Sequence, residues 1–100
     1  MYAVVNHLHV TKPIDEYREP MERELKPQLL GMPGFVAFHF VKVADDRAIV
    51  ILLWQDAASA DNGARQFGPG WFRTNVAPFL ASEQQRSQGE VIISAGKFPA

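Results

Sequence analysis

Residues 34–54, GFVAFHFVKVADDRAIVILLW, constrain the fold more than any other stretch. Residues 35–43 are rich in aromatic and β-branched side chains. Ala44-Asp45-Asp46-Arg47 then supplies turn chemistry, because an Asp carboxylate bonds its own backbone and tolerates unusual φ. Residues 48–54 are almost wholly apolar. A run that short, bounded by turn residues, predicts a buried central strand rather than a helix. The stretch therefore reads as a β-hairpin that the remaining chain must cover.

Before it, residues 2–10 read as a strand. Val4, Asn6 and Leu8 share one face, and Ala3, Val5, His7 and His9 the other, since successive side chains alternate. Both faces are mainly apolar, as in a strand covered on two sides. Thr11-Lys12-Pro13 ends it. Residues 14–30 are helical by pattern: Ile14, Tyr17, Met21, Leu25 and Leu29 form one apolar stripe at spacings of three and four. Pro20 and Pro27 interrupt that helix, because proline lacks an N–H and clashes one turn back. An irregular lead-in to Pro20 and a kink near Pro27 are expected. Gly31-Met32-Pro33-Gly34 is the stop.

After the hairpin, Asp56 is a candidate N-cap for a second helix over residues 57–66, weakened by Gly63. Phe67-Gly68-Pro69-Gly70 breaks it. Residues 71–80 read as a short third helix or turn, residues 81–88 as a polar connection, and residues 90–95 as the last strand, centred on Val91, Ile92 and Ile93. Residues 97–100 read as a tail. The order β-α-β-β-α-(α)-β in 100 residues is one domain of α+β class, the ferredoxin-like split β-α-β with a four-stranded antiparallel sheet. Both helices lie on one face of such a sheet. The other face then carries Ala3, Val5, Phe35, Ala37, Val41 and Val43 uncovered, and an apolar patch of that size calls for a partner. A homodimer packed sheet against sheet is the expectation; a tail folded over the sheet is the alternative.

Pro33-Gly34-Phe35, an apolar strand capped by Trp54, and an Ala-rich helix after it resemble the antibiotic biosynthesis monooxygenase family. The resemblance covers nearly the whole chain. It implies a dimeric α/β barrel and a cofactor-independent monooxygenase acting on an electron-rich aromatic, quinol or polyketide-like. The segment from Asn6 to Lys12 is similar to the first strand of the family's haem-degrading branch, whose matching asparagine lies in the active site. Two features of that branch are missing. Its second helical tryptophan would fall at or near Gly63, and no histidine occurs in residues 67–80 to ligate haem iron. Haem binding or degradation ranks below the cofactor-independent reading.

Chemistry is confined to few residues. Asn6 is a polar side chain on an apolar face, and a buried amide needs partners, from backbone or from a ligand. His7 or His39 would be the base if it reached the pocket. Trp71, Phe67, Phe72 and Arg73 follow or flank the Gly-Pro-Gly break and would form the substrate-binding wall, Trp71 stacking on the ring and Arg73 orienting a phenolate or carboxylate. His7, His9 and His39 could also ligate a metal, but no Asp or Glu completes the set, and the reading here is no metal and no cofactor. The absence of cysteine excludes thiolate chemistry and disulfides. A formal net charge of -1 leaves no basic field for nucleic acid. There is no phosphate-binding loop and no nucleophile with a base partner. The first residues lack a signal-peptide pattern and no apolar run spans a bilayer, so a cytoplasmic protein without membrane or nucleic-acid partners is expected. The competing class is a noncatalytic small-molecule-binding or assembly module of the same fold.

Overall fold

The computed structural model describes residues 1–96. Four strands, β1 (Tyr2–His9), β2 (Phe35–Ala44), β3 (Arg47–Trp54) and β4 (Gln85–Glu90), form one antiparallel sheet in the order β2-β3-β1-β4. This is the ferredoxin-like α+β arrangement. The helical layer covers one face of it.

The register sorts the side chains into rows across the sheet. Facing the helices, Phe40, Val50, Asn6 and Arg86 make one row, and Phe38, Leu52, Val4 and Gln88 another. On the opposite face the rows are Ala37, Leu53, Ala3 and Gly89; His39, Ile51, Val5 and Ser87; and Val41, Ile49, His7 and Gln85. β3 alternates buried and half-buried positions, with Ala48, Val50, Leu52 and Trp54 in the core. Two irregularities in β2, between Phe35 and Ala37 and between Lys42 and Ala44, insert an extra residue each. The first turns Phe35 inward against Trp54, edge to face at 5.7 Å.

The first helical segment is broken as its prolines require. A 3-10 turn (Ile14–Tyr17) leads into α1 (Arg18–Pro20), a π turn (Met21–Leu25) and α2 (Lys26–Leu30). The Lys26 N–H donates to the Met21 carbonyl, five residues back. The widened turn ends just before Pro27, which has no N–H for the Arg23 carbonyl and sits in the first turn of α2, where that loss costs least. The apolar stripe survives the irregularity: Ile14, Tyr17, Met21, Leu25 and Leu29 are all buried.

α3 (Ala57–Phe67) starts where the Asp56 carboxylate accepts from the Ser59 N–H at 2.7 Å. Two glycines let the sheet and α3 approach. Gly34 has φ of +75°, and a Cβ there would overlap the Ser59 side chain. A Cβ on Gly63 would overlap the edge of the Trp54 indole. Beyond α3 lie a π turn (Gly68–Phe72), the short helix α4 (Arg73–Asn75) and a 3-10 turn (Ala77–Phe79).

The last strand lies earlier than its sequence pattern predicts. β4 is the polar stretch Gln85–Glu90, not residues 90–95, and the expected polar connection supplies most of it. The cause is the partner's length. Glu90 pairs with Tyr2, the first residue of β1, so the ladder ends there. One more bond follows, from the Val91 N–H to the Met1 carbonyl. Ile92 and Ile93 are then 85 % and 84 % exposed, outside any strand. The tail expected at residues 97–100 lies outside the described residues.

Candidate functional site

A cavity of about 80 Å³ lies between the sheet and α3. Its apolar walls are Val4 on β1, Leu52 and Trp54 on β3, Leu29 on α2, Ala60, Gly63, Ala64 and Phe67 on α3, and Gly68 and Phe72 on the π turn. Three polar side chains complete it: Asn6, Gln84 and Arg86. Asn6 and Arg86 are cross-strand neighbours in one row, and Gln84 precedes β4. Apolar walls with a few convergent polar groups are the usual make-up of a small-molecule site.

Two amide oxygens at this site are buried without a hydrogen-bond partner, Asn6 Oδ1 and Gln84 Oε1. Buried polar groups are nearly always paired, so each orphan marks either a destabilising feature or a place for a ligand. The third such atom among the described residues, Tyr17 Oη, belongs to a ring packed edge-on against Phe40, away from the cavity.

The residues expected to form the site divide between two faces. Asn6, Phe67 and Phe72 line the cavity. Trp71 is buried behind that wall: its ring lies nearly parallel to Phe67, with centroids 6.3 Å apart, and its Nε1–H donates to Glu24 Oε1 at 3.2 Å. It supports Phe67 and does not line the cavity. Arg73 is exposed on α4 and also outside the lining. His7 and His39 sit on the other face of the sheet, so the sheet's own backbone layer separates both imidazoles from the cavity. Neither imidazole lines the cavity beside Asn6; His39 lines the larger depression along β2 instead. Among the described residues no carboxylate or imidazole lines this cavity.

Gln84 and Arg86 were not singled out by the sequence, because residues 81–90 are polar throughout and offer no alternation from which to read a face. The one available signal was Arg86 itself, a cation that register places beside Asn6 once the strand is located.

Among the described residues no three His, Asp or Glu side chains form a cluster suited to an ion. His9 instead bonds Asp46 through Nε2 at 3.0 Å, tying the end of β1 to the hairpin turn. The residues also do not fit haem. Trp54 fills the space in front of Gly63 where a second indole would stand, and residues 67–80 contain no histidine.

A second, larger depression of about 660 Å³ runs along the free edge of β2, between that strand and residues 14–30, lined by Met21, Leu29, Phe38 and Phe40 among others. It carries aromatic surface, His39 and mixed charge, and among the described residues no orphaned polar atom lines it.

No protein-family model matches the sequence, and no curated protein matches it. Solved structures do. The chain has the fold of antibiotic biosynthesis monooxygenase structures over nearly its full length. SnoaB, a cofactor-independent oxygenase from Streptomyces nogalater, is 17% identical with a TM-score of 0.76, covering 96% of this chain and 97% of that one. A putative antibiotic biosynthesis monooxygenase from Nitrosomonas europaea is 20% identical with a TM-score of 0.74, covering 93% of this chain and 100% of that one. The heme-degrader MhuD from Mycobacterium tuberculosis is 18% identical with a TM-score of 0.65, covering 96% of this chain and 100% of that one. At such identities the likeness establishes the fold. Proteins sharing it include oxygenases, heme degraders and proteins of unknown function.

Proposed function

We propose that the chain is a small oxygenase that works without a resident cofactor on an electron-rich, single-ring aromatic of the quinol type, bound in the cavity beside Asn6. The observation that carries this reading is the buried, unpartnered Asn6 amide on the wall of an apolar cavity, in a fold that SnoaB shares. The volume favours a single ring over a polyketide-like polycycle. About 80 Å³ is less than the ~150 Å³ apolar cavity that takes up benzene, so even one ring must reach through the mouth or displace Phe67 or Phe72.

In such chemistry the deprotonated substrate itself reduces oxygen. One oxygen atom enters the substrate, the other leaves as water, and the substrate supplies all four electrons. The chain's contribution would be binding and electrostatics. The apolar walls exclude water, the Asn6 amide orients the substrate or oxygen, and the Arg86 guanidinium at the lining favours the substrate anion. With no base in the cavity, the proton would leave to solvent at the mouth.

The test is oxygen uptake with a panel of hydroquinones in metal-free buffer. Uptake above a heat-killed control, lost in Asn6→Leu, is the expected result; a panel indistinguishable from that control ends the proposal. The missing base favours a second reading, a noncatalytic module that binds the same ligands. That reading predicts saturable thermal stabilisation by ligand with no oxygen consumed.

The same proposal includes a homodimer through the uncovered sheet face. Proteins of this fold typically dimerise, and the outward rows of this sheet are apolar apart from two histidines and a polar margin on β4.

A further inference from the structure

We infer that Gln84 is a specificity-determining residue that, together with Asn6, selects ligands carrying two hydroxyl donors on one ring. This deepens the quinol reading and rests on it for the identity of the site. Gln84 and Asn6 come from chain segments 78 positions apart, yet both line one cavity and both hold an amide oxygen that is buried and unpaired. The rest of the lining, Arg86 excepted, is hydrocarbon or glycine, and the Arg86 side chain makes no hydrogen bond to either oxygen. The missing partner of each oxygen is therefore a donor, and the cavity is the space where one can sit. Both oxygens are closed off as they stand, so a ligand donor reaches either one only when its amide turns toward the cavity. A phenolic hydroxyl donates, whereas a methyl ether only accepts. Two orphans beside one small apolar cavity suit a dihydroxylated ring that enters through the mouth, with its carbon frame against Val4 and Leu52.

The arrangement also has a consequence in the empty protein. An unsatisfied buried acceptor destabilises the fold, and replacing it with an apolar side chain of like shape removes that cost. A glutamine that serves only the structure would behave in the opposite way, its loss lowering stability. Gln84 precedes β4 and is half-buried, so it tolerates replacement.

The experiment compares the natural chain with Gln84→Met and Asn6→Leu. Binding of hydroquinone, 4-methoxyphenol and 1,4-dimethoxybenzene is measured calorimetrically in anaerobic buffer, with melting temperatures taken without ligand. In the natural chain each methylation should weaken binding about tenfold. Gln84→Met should abolish one of the two steps and raise the ligand-free Tm by about 4 °C. Asn6→Leu should abolish the other step. A flat methylation series, or a Gln84→Met protein that melts lower while keeping both steps, overturns the inference. Oxygen uptake separates this from the reading beneath it. Selective anaerobic binding without aerobic uptake removes the oxygenase and leaves the selectivity; uptake with a flat series does the reverse.

Discussion

Gly63 and Trp54 show how a single residue decides what this cavity can hold. Trp54 closes the apolar strand, 2 % exposed, with Phe35 edge-on against it. Its ring edge occupies the space a Cβ on Gly63 would need, so the helix passes the indole only because position 63 has no side chain. Two effects oppose each other in Gly63→Ala. Alanine favours the helix by about 1 kcal/mol, while overpacking a closed core costs about 1–3 kcal/mol. Trp54 is held on its other side and cannot yield, so packing wins. Gly63→Ala should lose up to about 2 kcal/mol in urea unfolding, and a variant more stable than the parent would show that the indole is free to move. At this scale the sequence was partly legible. Asn6 stood out because it interrupts an apolar face, and alternation alone put His7 on the face opposite it. What could not be read was which side of the sheet would hold the cavity, since both faces of β1 are apolar. Register puts His7 and His39 on the face opposite Asn6, which the sequence alone does not rank as the wet or the dry side.

Between elements, the wall of the site is held by one polar tie. Trp71, on the π turn after α3, donates to Glu24 on the first helical segment, and its ring backs Phe67. Arg23, bonded to Glu24 at 3.0 Å, is the main cause holding the Glu24 carboxyl below its ordinary range, and the Trp71 N–H is the second. A carboxyl whose pKa is lower folded than unfolded stabilises the fold above the unfolded value, about 4.3. That contribution disappears as pH falls through the lower, folded value. The tie should therefore hold from pH 7 to about 5 and fade below about 4.5. Glu24→Gln keeps an acceptor for the indole but has nothing to titrate. Urea midpoints from pH 7 to 3 should fall more steeply for the natural chain than for this variant; parallel curves would mean Glu24 plays no part. The elements themselves were readable where a pattern repeats. The stripe from Ile14 to Leu29 was correct to the residue, even though prolines turned its regular helix into a π turn and short α pieces. β4 was misplaced because β-propensity points to Val91-Ile92-Ile93, whereas pairing is decided by where β1 begins.

On the scale of the whole molecule, the chain carries two apolar surfaces that none of the described residues covers. One is the outward sheet face, with Ile49, Ile51 and Leu53 half-buried at its centre. The other is the exposed pair Ile92 and Ile93, just past the end of β4. Four strands about 4.8 Å apart, paired over six to eight residues, give a face of roughly 19 by 23 Å. Two such faces together bury on the order of 1,000 Å², the lower limit for a specific interface, and the isoleucine pair adds to it. A two-fold pair uses the same patch on both copies, so one substitution is introduced twice. Ile51→Asp puts two carboxylates into the centre of the contact while leaving the helix-side core untouched. The natural chain should be dimeric by light scattering at micromolar concentration, and Ile51→Asp monomeric with its far-UV spectrum retained. The double substitution Ile92→Ser, Ile93→Ser should weaken the dimer less. A dimer that survives Ile51→Asp but falls apart when the isoleucine pair is replaced would move the contact off the sheet face. It would then rest on residues 91–96 and a surface such as the groove along β2, leaving His7 and His39 in solvent instead of between two subunits.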